Sequence, residues 1–141
     1  MREARPDMPD AIEKRDLLAS DTISREEVLA LAGAYLQDDA LSDACNFFDK
    51  IGDVEGLEKV KRRAIETGNA HVLTFDLGRS RHILLSKEEW REAGQHALDQ
   101  GKFGYAAQAF RKAGDPEREA EARRRIPGAS SEDAPPSGAG R

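Results

Sequence analysis

Apolar residues return every three or four positions through most of this chain, and the places where that rhythm breaks coincide with Gly, Asp or Ser. The pattern predicts an all-α fold of about seven or eight short helices. Asp10 to Ala19 reads as a short helix with only Ile12, Leu17 and Leu18 as apolar contacts, marginal on its own and expected to dock on the helix beginning near Ser24. Next comes a stripe of Val28, Leu31, Ala32, Tyr35 and Leu36, a break at Asp38 and Asp39, and a second stripe of Ala40, Leu41, Ala44, Phe47, Phe48 and Ile51. Val54 to Glu66 places Leu57, Val60, Ala64 and Ile65 on one side and ends at Gly68. Asn69 to Leu77 reads as a shorter helix carrying Ala70, Val72, Leu73 and Leu77 and ended by Gly78. A connector over 79–85 should tuck Ile83, Leu84 and Leu85 inward. Trp90, Ala93, Gly94, Ala97 and Leu98 form the next stripe, Gly101 the break, and Phe103, Ala106, Ala107, Phe110 and Ala113 the one after. Pro116 opens a final, strongly charged helix that reads as a polar cap.

Two of these segments are copies of one another. Residues 24–63 align without a gap on residues 86–125, a shift of 62, with identity at twelve of forty positions. The identities fall on caps, small packing positions and a turn, so the duplicated object is a piece of architecture. Ser24 with Glu27, and Ser86 with Glu89, have the spacing of capping boxes, and Ile23 with Val28, and Leu85 with Trp90, that of hydrophobic staples. Gly52 and Asp53 recur as Gly114 and Asp115, a glycine for a left-handed helix end followed by an aspartate to cap the next helix.

Trp90, Ala93, Gly94, Ala97, Ala106, Phe110 and Ala113 fall at the spacing W-x2-L-G-x2-Y-x8-A-x3-F-x2-A, as do Val28, Leu31, Ala32, Tyr35, Ala44, Phe48 and Ile51. In this the chain resembles the tetratricopeptide repeat, although its period of 62 departs from the family's ~34. The resemblance implies an irregular antiparallel helix-pair stack, an α-solenoid. Trp90, Gly94, Ala106, Phe110, Ala44 and Phe48 would be its structural repeat residues. It also implies a groove for a partner peptide or helix, lined at the matching positions by Leu29, Gly33 and Leu36 in one copy and Arg91, Gln95, Leu98 and Asp99 in the other. An ordinary solvated face is the competing account of those residues. The family's carboxylate-capturing groove uses Lys, Arg and Asn, and Leu29 and Gly33 stand in two of those places.

The organisation expected is therefore a flexible lead-in over 1–9, one helical-repeat domain over 10–126 and a disordered tail over 127–141. The domain would hold repeat units at 24–55 and 86–117 with a variant helix pair over 54–77 between them. Charged residues make up 35% of the chain, which suits thin helical layers with much solvated face. Residues 1–50 carry six Lys or Arg against twelve Asp or Glu, so the net charge of −5 is concentrated at the N-terminal end. That balance argues against general nucleic-acid binding. A basic strip of Lys59, Lys61, Arg62, Arg63, Arg79 and Arg81 with Arg123, Arg124 and Arg125 keeps the alternative open, against the simpler account of cations complementing helix C-termini.

Candidate chemistry is sparse. His71, His82 and His96 form no metal-ligand pair, and Asp38, Asp39 and Asp43 lack the glycine and closing glutamate of a calcium loop. Cys45, the lone cysteine, sits on a helix that packs by small residues, where a buried inert thiol is favoured over a nucleophile. There is no phosphate loop or nucleophile elbow, no cofactor is implied, and no apolar run approaches a membrane span. The expectation is a cytoplasmic, non-catalytic protein–protein interaction module, an adaptor or scaffold. The alternatives are a nucleic-acid-binding helical repeat and an accessory or regulatory subunit of an enzyme, and self-association stays open.

Overall fold

A computed structural model describes residues 8–128, and all regular structure among them is helical. Most of the expected lead-in and tail, residues 1–7 and 129–141, lies outside the described residues. Seven α-helices run α1 Ala11–Ala19, α2 Arg25–Gln37, α3 Leu41–Lys50, α4 Val54–Glu66, α5 Lys87–Asp99, α6 Phe103–Lys112 and α7 Pro116–Arg124. The segment expected as a helix over 69–77 is helical, but only its first residues are α-helical. It forms a wide π-helical turn at Val72–Asp76 followed by a 3-10 turn at Leu77–Arg79. The described residues divide into two compact units, 8–63 with 72–84 and 64–71 with 85–128.

In the first unit, α2 and α3 form a helical hairpin that buries Val28, Leu31, Ala32, Tyr35, Ala44, Phe47 and Phe48. The Tyr35 and Phe47 rings stack with centroids 5.7 Å apart. Ser24 accepts from the Glu27 amide while Glu27 accepts from the Ser24 amide, the reciprocal cap that the spacing predicts. Between α2 and α3 the backbone enters the left-handed region at Asp39, with φ of 59°. In the other copy the equivalent residue is Gly101, at 75°. Asp39 is held in this conformation, unusual for a residue with a Cβ, while its carboxylate takes two hydrogen bonds from Arg63, at 2.7 and 2.9 Å.

The end of α3 closes through Gly52, and Asp53 then accepts from the Gly56 amide to start α4. Gly56 lets α4 lie directly on the Phe48 ring, since a Cβ there would stand 2.2 Å from Phe48 Cδ1. The irregular 72–79 segment is tied to α3 by Ser42 donating to Asp76 and Ser80 donating to Asp49, both at 2.6 Å. Val72, Leu73 and Leu77 are buried while Phe75 stays half exposed. The connector behaves differently from its expectation at one residue. Ile83 is buried, but Leu84 is 87% exposed and offers its carbonyl to the buried Lys61 ammonium, which also meets Glu58 at 3.2 Å.

The second unit repeats these devices. Ser86 and Glu89 form the capping box of α5, Asp115 accepts from the Arg118 amide at the start of α7, and Gly114 closes the end of α6 with φ of 70°. Ala97, Leu98, Ala106, Ala107, Phe110 and Ala122 make the core, with Phe103 packed against it. A Cβ at Gly94 would stand 2.8 Å from Phe110 Cε1, so α5 and α6 approach as closely as glycine permits. The last carbonyls of α4 and its turn are satisfied from the α5–α6 corner: Gln100 donates to Glu66 O at 2.9 Å and Lys102 to Thr67 O at 2.7 Å.

Candidate partner-binding surfaces

Helix α2 carries the longest uncharged run among these helices, residues 28–36 reading VLALAGAYL, and unlike the shorter run over 103–110 of α6 it holds no Gln or Asn. A helix that is apolar all round is normally enclosed on all sides. Here the core covers Val28, Leu31, Ala32, Ala34 and Tyr35 only. Leu29, Gly33 and Leu36 are half-buried and Ala30 is exposed. The equivalent stretch of α5, residues 90–98, carries Arg91, Glu92, Gln95 and His96, the polar face expected of a helix bordering water.

The residues matched to a tetratricopeptide groove separate accordingly. On α2, Leu29, Gly33 and Leu36 share one flank at helical spacing, and among the described residues nothing beyond the helix's own nearby backbone lies within 4 Å of where a Cβ on Gly33 would be. On α5, Leu98 is a core residue, only 8% exposed. Gln95 accepts from the Arg118 guanidinium of α7 and donates to Asp99 at 2.9 Å, and Arg91 faces Asp115 at 3.6 Å. The Arg118 guanidinium also lies 4.7 Å over the Phe110 ring. So on α5 the groove positions are engaged by the chain's own last helix, and on α2 they are not filled by polar partners. Among the structural repeat residues, Trp90, Gly94, Ala106, Phe110, Ala44 and Phe48 are all buried.

The other flank of α2 borders an open cavity of about 490 Å3 that periodicity alone did not reveal. Its lining runs from Met8 and Pro9 through Glu13, Asp16 and Leu17 of α1 and Ile23 of the linker to Glu27, Ala30 and Leu31 of α2. Helix α1 is tied chiefly to α3, while on α2 the Lys14 ammonium lies 5.8 Å over the Tyr35 ring and the cavity stays open beside that contact. Lys14 pairs with Asp43 at 2.9 Å, and the Lys50 ammonium donates to Leu18 O and Ser20 O at 2.9 and 2.7 Å, tying down the far end of α1. The hydrogen bond it donates to Asp43 holds the Lys14 ammonium above its usual pKa, and burial raises that of Tyr35, whose hydroxyl is buried without a hydrogen-bond partner among the described residues.

Groups that could carry chemistry are dispersed. Cys45 is buried, and that burial, with the Asp76 and Asp49 carboxylates nearby, pushes its thiol up to about 12. Among the described residues no group of three or more His, Cys, Asp or Glu is placed to hold a metal ion, and no helix is long and apolar enough to cross a membrane. Of the basic strip, Lys61 is buried, Arg63 is paired with Asp39, Arg123 with Glu119 and Arg125 with Glu121. No protein-family model, curated protein or solved structure matches the chain.

Proposed function

We propose that this chain is a non-catalytic protein–protein interaction module, an irregular tetratricopeptide-like α-solenoid that recognises a peptide or helix of another protein. One observation carries the reading: α2 keeps an apolar sequence around its whole circumference while its own fold covers one side. Within the uncovered part, Gly33 sits mid-helix with open space above it. Glycine there costs the helix about 1 kcal/mol relative to alanine. A close-packed partner backbone gives that cost a purpose, with Leu29 and Leu36 one turn to either side as apolar anchors. The 40-residue duplication at a shift of 62, whose caps and closing glycines recur in both copies, supports the helical-repeat part of the reading.

The test is affinity capture of the tagged full chain from its native lysate at low and high salt, read by mass spectrometry and a nucleic-acid assay. The expected result is a stoichiometric protein that survives high salt and is lost on Leu36→Asp with helicity unchanged. Nucleic acid released by salt would replace this reading with the basic-strip alternative. Co-purification of one enzyme in fixed ratio would favour the accessory-subunit alternative.

A further inference from the structure

The cavity beside α1 has a chemistry of its own. Its floor is apolar, from Leu17, Ile23, Ala30 and Leu31, and among the described residues its charged lining residues are Glu13, Asp16 and Glu27, with no Lys or Arg. Two of these carboxylates are fixed in place by their capping boxes. Glu13 accepts from the Asp10 amide at 3.0 Å and Glu27 from the Ser24 amide at 3.1 Å, each through one oxygen, which leaves a second carboxylate oxygen on each. The cations adjacent in sequence are mostly turned elsewhere: Lys14 to Asp43, and Arg25 to Asp53 and Ile51 O. Arg15 meets Asp16 only at 3.9 Å, with both side chains largely exposed. An apolar trough under an anionic rim selects for a ligand that is apolar on one face and cationic beside it.

Three occupants can be weighed. The chain's own terminal segments supply no match, because MREARPD at 1–7 and ASSEDAPPSGAGR at 129–141 contain no large apolar residue beyond Met1. A second copy docked by the same face would set Glu13, Asp16 and Glu27 against their own counterparts, within a region of net charge −6. We infer that the α1–α2 cavity is a docking groove for a basic amphipathic helix of a partner protein, with apolar anchors at i, i+3 or i+4 and i+7 and flanking Lys or Arg that meet Glu13, Asp16 and Glu27. This rests on the interaction-module reading but concerns the flank of α2 opposite Leu29, Gly33 and Leu36.

The probe is a displayed library of helical peptides with Leu fixed at the anchor positions and Lys, Gln or Glu varied beside them, selected on the full chain. Lys-rich winners are expected. Their affinity should fall about tenfold between ~0.1 M and ~1 M salt, as the screening length contracts from ~10 to ~3 Å. It should fall about fivefold or more on Asp16→Lys or Ala30→Glu, two exposed positions where the fold tolerates change, and should be unmoved by Leu36→Asp. Selection of Gln- or Glu-rich peptides, winners indifferent to Asp16→Lys and Ala30→Glu, no enrichment, or a homodimer that Ala30→Glu dissociates would each overturn the inference. Loss of the lysate partner on Leu36→Asp is a separate readout, so the wider interaction reading can stand or fall independently.

Discussion

Gly56→Ala sets two ordinary effects against each other, and the structure decides which is larger. Alanine is the better helix former by about 1 kcal/mol, a gain at most sites in a helix. At position 56, however, the new methyl carbon would stand 2.2, 2.4 and 2.6 Å from Cδ1, Cε1 and Cγ of Phe48. Carbon atoms rest at ~3.5 to 4.0 Å, so ring and helix must separate by at least about 1 Å. Phe48 is only 5% exposed and has no route outward. Overpacking of this kind costs about 1 to 3 kcal/mol, and a clash this deep belongs at the upper end, leaving a net loss of about 1 to 2 kcal/mol. For a chain of this size that lowers Tm by about 3 to 8 °C. Gly104→Ala is the control, a helical glycine with nothing within 4 Å, and it should raise Tm by a few degrees. Gly94→Ala, with its closest contact at 2.8 Å, should fall between them. Thermal unfolding followed by circular dichroism gives the order. Phe48→Leu should cost less in the Gly56→Ala background than in the wild type, because it makes room. Equal Tm values for Gly56→Ala and Gly104→Ala would refute the close approach of α4 to Phe48.

Other consequences are checked more briefly. Gly33→Ala should stabilise the chain by about 0.5 to 1 kcal/mol in denaturant unfolding while weakening partner capture, the opposite signs expected of a glycine kept for contact. Lys50→Met should remove the hydrogen bonds to Leu18 O and Ser20 O, so that hydrogen exchange accelerates across α1 and is little changed in α2 and α3. Native Cys45 should resist thiol reagents at mildly alkaline pH and react on unfolding. Its folded pKa is raised from 9.0 to about 12, so its contribution to stability is complete below about 9 and is lost between those values as pH rises, and Cys45→Ala should flatten that decline. Arg63 holds the Asp39 carboxyl below its usual pKa, so the contribution of that pair is present above the ordinary carboxylate range and is lost as pH falls through the lowered value. Asp39→Gly should remove that acid-side loss and relax the left-handed backbone together.

Much of the local structure was legible because short-range rules govern it. The Ser24 and Ser86 boxes, the bounds of α4, and the glycine closures at Gly52 and Gly114 follow from residues within one turn of each other. Asp10 with Glu13 carries the same box signature, and the structure forms it. What escaped the periodicity depends on long side chains and distant partners. Lys14 and Lys50 draw α1 to α3, a choice that no stripe of apolar residues encodes, and the cavity stays open beside α1. Leu98, at once a member of the α5 stripe and a groove position, is assigned to the core by the cluster it shares with Ala122 of α7. Leu84 turns outward where its carbonyl meets Lys61. The signal for the α2 surface was present as an uncharged run over residues 28–36, but a single core stripe accounts for half of it and the remainder gains meaning only once burial is known.

If α2 meets a partner through the part of its surface that the chain leaves uncovered, its backbone amides become protected in the complex. Amide hydrogen exchange of the free chain and of the captured complex tests it most directly. The account predicts slowed exchange concentrated in residues 25–37 on complex formation. Protection confined to α5, α6 and α7, with α2 exchanging as it does in the free chain, would contradict it.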